Sequence, residues 1–332
     1  MSPKIYSDIF EAIRHFESSS PLLNLKSKRL GYIRRKLSFN LMQMPNGKMS
    51  ALPKNMFFTF YRGENDNYDS RYPCKPSIFR GNPTRKDVMI NRLKIIDFSL
   101  ILKTHPKVIF AENDGMDIHY DALAQHYELK TDLLDLSSDI AVAAFFATHV
   151  YNSEDSRFTP RTEGVGCIRS YMDQKLIAND LNNMKLIGLQ PFKRPGVQCA
   201  FGIKLDHNED FSNMSNKVLF KQKLKYNKMI NSLFCHDDFN KLIPPEDDVS
   251  EIAKNVKKSK IVSKEAVSLY CDKNEINKED LINNLSENGY SMVDNPIYKL
   301  SRQRIRSIKR RMKKEKPYGD AEIRVRACCY PK

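Results

Sequence analysis

The stretch DALAQHYELKTDLLDLSSDIAVAAFFATH, Asp121 to His149, constrains the fold of this chain more than any other. Its apolar residues fall into two runs that read as two short helices, one on each side of a tight joint. The second run carries an alanine-rich face, and small residues there let a helix pack closely on its neighbours. The joint between the runs holds His126, Tyr127, Thr131, Asp132 and Asp135, all polar or ionisable and all within about three helical turns. The spacing predicts a helix ending at Ala124–Tyr127 and a loop at Leu129–Thr131, with Ser137, Ser138 or Asp139 capping the second helix. Leu123 and Tyr127 fall on one helical face, which turns Gln125 and His126 toward whatever the loop encloses. The seam therefore reads either as the lining of a pocket or as structural capping, with Asp135 and Ser137 fixing the start of the second helix.

The rest of the chain reads as α+β: a mixed or antiparallel sheet with packed helices, followed by a basic helical C-terminal part. Residues 7–36 are expected to be helical, with Ile9, Ile13 and Phe16 near one face and Ser7 available as a cap. MFFTFYRGE, Met56–Glu64, is rich in aromatic and β-branched residues and reads as a buried strand. Ile90–His105 has the pattern of a long amphipathic helix, and Gly164–Met172 and Val197–Leu205 read as strands. LIPPEDDVSEI, Leu242–Ile252, is the clearest break. Beyond it, Asn277–Tyr290 has the cap and terminal glycine of a short helix, and Ile305, Ile308 and Met312 are spaced as in a second. The expected division is a basic helical segment at 1–54, a central domain at 55–205 and an α-rich part at 206–332.

Charge is strong and unevenly spread. The net charge is +15, no acidic residue occurs from Ser18 to Gly63, and SRQRIRSIKRRMKKEK at Ser301–Lys316 is mostly cationic. Such an excess favours anionic partners: nucleic acid through the two basic segments, an acidic membrane surface, or a phosphorylated ligand. No apolar run approaches the ~18 residues of a membrane span and the N-terminus has no signal-peptide core, so a cytoplasmic protein without integral membrane contact is expected. The seven cysteines are scattered and show no C-x-x-C spacing, unlike a disulfide framework or a zinc ribbon. The adjacent Cys235–Asp238 lacks a second ligand pair and reads as a loop. Glycine-rich dinucleotide and phosphate loops, the nucleophile elbow and H-E-x-x-H are all missing, which excludes the common forms of nucleotide hydrolases, serine hydrolases and zinc proteases.

Four local patterns remain, in order. FYRGE, Phe60–Glu64, ends a strand with Arg62 beside a flexible Gly63, and Arg62 can present a planar cation to a phosphate or pair with Glu64. PSIFRG, Pro76–Gly81, repeats the aromatic–Arg–Gly theme at Arg80. The seam is the third, and KRPGVQCAFGI, Lys193–Ile203, places Gln198 on a strand beside small residues.

In this order the patterns resemble the FRG-domain family, named after its aromatic–Arg–Gly motif. FYRG, PSIFR, LAQHYELKTDLLDLSSDIAVAAFFA and VQCAF carry the resemblance over roughly residues 55–205. This chain departs from the family pattern at Glu128 (family Gly), Lys130 (Pro), Asp132 (Arg) and Leu136 (Trp), and the reversed charge at 132 either abolishes an anion-binding role there or is matched by Lys130. The motif order of the family is similar to that of ADP-ribosyltransferases, and such domains occur in bacterial proteins linked to phage defence.

The resemblance implies a nucleotide ligand, NAD, and transfer of its ADP-ribose. Arg62 would hold phosphate with Arg80 as a second cation, Tyr127 or Tyr61 would stack on nicotinamide, and His126 or Thr131 would hold the ribose hydroxyls. A carboxylate would support the positive charge on the ribose as nicotinamide leaves. The strand expected to supply it offers Gln198, so Glu64 or Asp135 must provide it. Otherwise the chain binds a nucleotide or nucleic acid without turnover.

Overall fold

The computed structural model describes residues 4–18, 37–54, 59–68, 74–152, 157–172, 183–236, 239–243, 248–294, 296–315 and 321–329. The basic run 19–36, Met56–Phe58 and Asp237–Asp238 lie outside them.

Along the chain the first elements are β1 (Ile5–Tyr6) and α1 (Ile9–Phe16), followed by the hairpin of β2 (Ser38–Gln43) and β3 (Met49–Pro53) and then β4 (Thr59–Glu64). Asp8, not Ser7, caps α1, because its carboxylate accepts the free N–H groups of Phe10 and Glu11. Helices α2 (Arg85–Lys103), α3 (Pro106–Asn113) and α4 (Tyr120–His126) lead into β5 (Leu133–Ser137), α5 (Ile140–Thr148) and the hairpin of β6 (His149–Asn152) and β7 (Arg157–Pro160). Helix α2 starts five residues before its apolar run, where Thr84 and Asp87 form a capping box. After β8 (Val165–Met172) and β9 (Met184–Lys185) come the one-turn helix α6 (Lys193–Val197), β10 (Ala200–Lys204), β11 (Asn216–Lys221) and α7 (Leu224–Phe234). The antiparallel pair of β12 (Cys235–His236) and β13 (Phe239–Asn240) precedes α8 (Asp248–Lys258), β14 (Ile261–Ser263), α9 (Lys264–Asn274) and α10 (Lys278–Glu287). The chain closes with β15 (Ser291–Val293), α11 (Arg302–Lys314) and β16 (Glu322–Cys329).

The expected α+β class holds. A seven-stranded sheet runs in the order β1-β11-β8-β4-β5-β10-β9. Every pairing in it is antiparallel except β1 with β11, so the sheet is mixed. A separate three-stranded sheet joins β16 in parallel to β2. The joint of the sequence seam keeps the loop expected at 129–131 but does not end with it. It contains β5, a central strand paired with β10 along its whole length.

Helix α5 lies on β4 and β8, and the alanine-rich face expected for it is what makes this approach possible. Ala143, Ala144 and Ala147 are fully buried there with α1, α7 and the strands. A Cβ on Gly63 would lie 1.8 Å from the carbonyl oxygen of Ala143, and one on Gly166 would lie 2.9 Å from that of Ala147. Glycine 63 is thus a close-approach position rather than a hinge. Phe60, Phe201 and Leu134 build the core on the opposite face of the sheet. A third core joins α2, α3, α4 and α8, and a fourth holds α9 and α10 against α2. Among the described residues no helix is long and apolar enough to cross a membrane.

Candidate functional site

Strands β4 and β5 pair at one point, Tyr61 with Ser137, whereas β4 pairs with β8 over six residues. Where β4 and β5 part, backbone groups that a continuous ladder would satisfy are left open. Arg62 fills the gap. Its Nη1 donates to the carbonyl of Asp135 at 3.0 Å, and its Nε stands 3.5 Å from Glu64 Oε1. A cleft of about 670 Å³ opens over the divergence, within the usual range for small-molecule sites. Its walls are Val142, Ala143 and Phe146 of α5, Tyr151 and Phe158 of the β6–β7 hairpin, and the segment from Cys74 to Asn82.

Glu64 is fixed from two sides. Arg169 Nε donates to its Oε2 at 2.9 Å, and the Cys74 thiol donates to its Oε1 at 2.9 Å. Burial alone would raise the Glu64 carboxyl, but Arg62 and Arg169 together outweigh it and hold it below its ordinary value. Burial pushes the Cys74 thiol up to about 11, so this sulfur stays protonated and serves as a donor rather than a nucleophile.

Arg80 is placed by a network between two of the sequence patterns. Ser77 Oγ accepts the Thr131 N–H at 3.1 Å, and the Ile78 N–H donates to the Thr131 carbonyl at 3.1 Å. The Thr131 hydroxyl donates to Gln125 Oε1 and accepts the Leu133 N–H, while Gln125 Nε2 donates to Asp135 Oδ2 at 3.0 Å. PSIFRG is thereby clamped onto the loop after α4, and Arg80 emerges at the cleft rim. Its Nε donates to the Lys75 carbonyl at 2.8 Å, and it makes no ion pair among the described residues. Desolvation, then the charge of Arg62, lowers its pKa. Two guanidinium groups therefore face one cleft.

Tyr61, Arg62, Glu64, Arg80, Asp135 and Gln198 all line this cleft. His126, Tyr127 and Thr131 do not. The His126 imidazole is buried, and burial holds its pKa below the ordinary value although Asp135 pulls the other way. Tyr127 points into the helical core, edge-on to Phe192 and 4.5 Å from the guanidinium of Arg194. The Thr131 side chain is spent inside the network. Tyr61 is buried against Phe16 with its hydroxyl pKa raised by burial and by Glu17.

Gln198 follows the single turn of α6 rather than sitting on a strand. Its side chain donates to the Leu242 carbonyl at 2.9 Å and its own carbonyl accepts from Ser137. Asp139 caps α5, with Ser137 Oγ accepting the Asp139 N–H. Asp135 takes no part in that cap. Asp132 pairs with Lys204 at 3.6 Å, not with Lys130. Glu128 adopts a left-handed φ of 68°, which is the conformation a glycine at that place accommodates without strain.

Sequence reasoning passed over Arg169, Cys74, Lys75, Phe79 and His207. For Arg169 a signal was present: a charged residue inside GVGCIRSYM, an otherwise buried strand, needs a partner. Phe79 and His207 pack edge to face at 5.5 Å, and Lys75 Nζ donates to the His207 carbonyl, but these residues are far apart in sequence.

Two positions at the cleft suit carboxylate chemistry, and they differ. Glu64 is neutralised by its arginine and held by the thiol. Asp135 is half-buried, takes one hydrogen bond from Gln125, and faces the cleft.

Comparison with known proteins agrees with the pattern order. Residues 58–156 match the family model of the FRG domain, a span that contains Arg62, Glu64, Arg80, the whole seam and α5. No curated protein and no solved structure matches the chain.

Proposed function

The chain carries an FRG domain, and we propose that its cleft binds a nucleotide through Arg62 and Arg80, with NAD as the ligand and ADP-ribosyl transfer as the reaction. The observation that carries this reading is the convergence of two guanidinium groups, one of them without an ion pair among the described residues, on a cleft walled by aromatic rings. Planar cations match phosphate oxygens, and Phe146, Tyr151 and Phe158 offer stacking faces to a base or to nicotinamide. In the reaction the bond between the ribose carbon and nicotinamide nitrogen breaks, nicotinamide leaves with the electron pair, and an acceptor nucleophile takes the ribose. Asp135, rather than Glu64 or Gln198, is the group suited to stabilising the positive charge on the ribose. The relation to ADP-ribosyltransferases and the role in phage defence belong to this proposal and rest on the family resemblance.

A reading as a binder without turnover has one observation in its favour: both carboxylates already have hydrogen-bond partners. One experiment separates the two. Purified protein is incubated with NAD while nicotinamide release and melting temperature are followed. Transfer predicts release that is abolished in Asp135→Asn with the NAD-induced rise in melting temperature retained, and loss of both in Arg80→Ala. A thermal shift without release supports binding alone. Neither effect would sink the nucleotide reading.

A further inference from the structure

The C-terminal helix α11 presents two different sets of cations, and only one of them is occupied. Arg304 and Arg311 both reach Asp248, the first in a short contact and the second with Nη2 at 2.7 Å from Oδ2. Arg304 also stands 3.4 Å from Glu251, and Ile308 is fully buried between them. These three residues lie on one side of the helix and fasten it to the body of the protein. At 100° per residue, Arg302, Arg306, Lys309, Arg310 and Lys313 fall within about 100° of arc on the opposite side. All five are exposed, and none makes an ion pair or side-chain hydrogen bond among the described residues. No acidic residue occurs within the helix.

We infer that this outward face of α11 binds the phosphate backbone of a nucleic acid. The five cations form a band along about 17 Å of helix, a length and charge density that suit successive phosphates along a groove. An anionic membrane is the competing partner for a cationic helix. Such helices lay a free apolar stripe next to their cations into the lipid, whereas here Ile308 is buried against the protein, Ile305 and Met312 between it and the row are already half-buried, and the row itself has no apolar member. The row carries guanidinium and ammonium groups but no aromatic residue, so the contact reads backbone charge and not sequence.

The test uses the full chain, with labelled DNA and RNA duplexes of mixed sequence, followed by fluorescence anisotropy between 50 and 200 mM salt. Five phosphate contacts predict a slope of log affinity on log salt of about −4.5, hence a fall of roughly 500-fold over that range. Each of Arg306→Ala, Lys309→Ala and Lys313→Ala should reduce the slope by about 1. Their side chains face solvent, so the melting temperature should stay unchanged, and so should NAD binding at the cleft. An unchanged slope in the triple variant would overturn the assignment, since binding would then lie elsewhere. So would binding to vesicles of anionic phospholipid that exceeds binding to either duplex. No detectable binding at 50 mM salt would overturn it as well.

Discussion

Gly63→Ala is the substitution that most directly probes how the site is built. The new Cβ would stand 1.8 Å from the Ala143 carbonyl oxygen and 2.6 Å from the Ala147 nitrogen, both backbone atoms of α5. Real contacts essentially never fall below 3.0 Å, so α5 must lift by about 1.2 Å or β4 must sink. Sinking β4 is opposed by its six-residue pairing with β8, and lifting α5 separates it from Gly166 and from the core formed with α1 and α7. Overpacking of a well-filled core costs about 1–3 kcal/mol, and a clash with two backbone atoms belongs at the upper end. With an unfolding entropy near 2.1 cal/mol/K per residue, about 3 kcal/mol lowers the melting temperature of a 332-residue chain by roughly 4 °C. Val142, Ala143 and Phe146 would shift with the helix, so the cleft would change shape too. Gly81→Ala serves as the contrast. It has a φ of 75° and open space around its Cβ position, so only the backbone conformation is strained, at about 1 kcal/mol. Thermal unfolding of both variants by circular dichroism decides the matter. A Gly63→Ala melting temperature within about 1 °C of the parent protein would refute the close packing of α5 on β4.

Three further outcomes are expected. Glu64→Gln leaves Arg62 and Arg169 without their carboxylate and should destabilise the protein by about 3 kcal/mol at neutral pH. Because Glu64 titrates below its ordinary 4.5 in the folded state, its contribution is complete above that pH and fades as pH falls further, so the difference in urea midpoint should narrow in acid. His149, stacked on Phe145, has its pKa lowered to about 4 by burial. The unfolded chain binds the proton first, so stability is full above about 6.5 and drains between 6.5 and 4 by roughly 3 kcal/mol. His149→Asn should flatten that limb, and an equally steep pH profile in the variant would contradict the assignment. Glu128→Gly relieves a left-handed residue whose ion pair with Lys257, at 3.9 Å, is exposed, and should raise stability by about 0.5–1 kcal/mol in equilibrium unfolding.

Much of the architecture was legible because its signals are local. The strand with Arg62, the strand Val165–Met172, the helix capped by Asn277 and the close-packing alanines of α5 each show in a short window. Strand β5 did not, for a physical reason. LLDLS is buried on both faces except at Asp135, so it lacks the alternation that marks a half-buried strand. Missing β5 turned a sheet strand into a joint and made His126 look like a pocket residue. The helical pattern sets His126 on a different face from Leu123. It cannot say that His126 is buried, nor that Arg194, from a distant segment, donates to its carbonyl while also holding Ser250. Gln198 failed similarly: it ends the turn of α6, where Gly196 lies so close to Leu189, seven residues away, that a Cβ would stand 2.6 Å from its Cδ1, and no local strand pattern shows that.

The arrangement of charge around the cleft narrows what kind of ligand completes it. Arg62, Arg80, Arg169 and Lys75 gather there against the two carboxylates of Glu64 and Asp135. Glu64 cannot balance more than its neighbours Arg62 and Arg169 already demand, and Asp135 spends a hydrogen bond on Gln125. Two positive charges are left over at the mouth, where Arg80 and Lys75 are joined through the Lys75 carbonyl. Desolvation, then the charge of Arg62, disfavours the charged form of Arg80, and an anion at the mouth would relieve both. A pyrophosphate bridge carries two negative charges, which a single carboxylate or an uncharged sugar does not. Inorganic pyrophosphate should therefore raise the melting temperature of the parent protein and of Asp135→Asn alike, and should not raise that of Arg80→Ala. A rise that persists in Arg80→Ala would place the anion on other cations and remove the cleft's claim to a nucleotide.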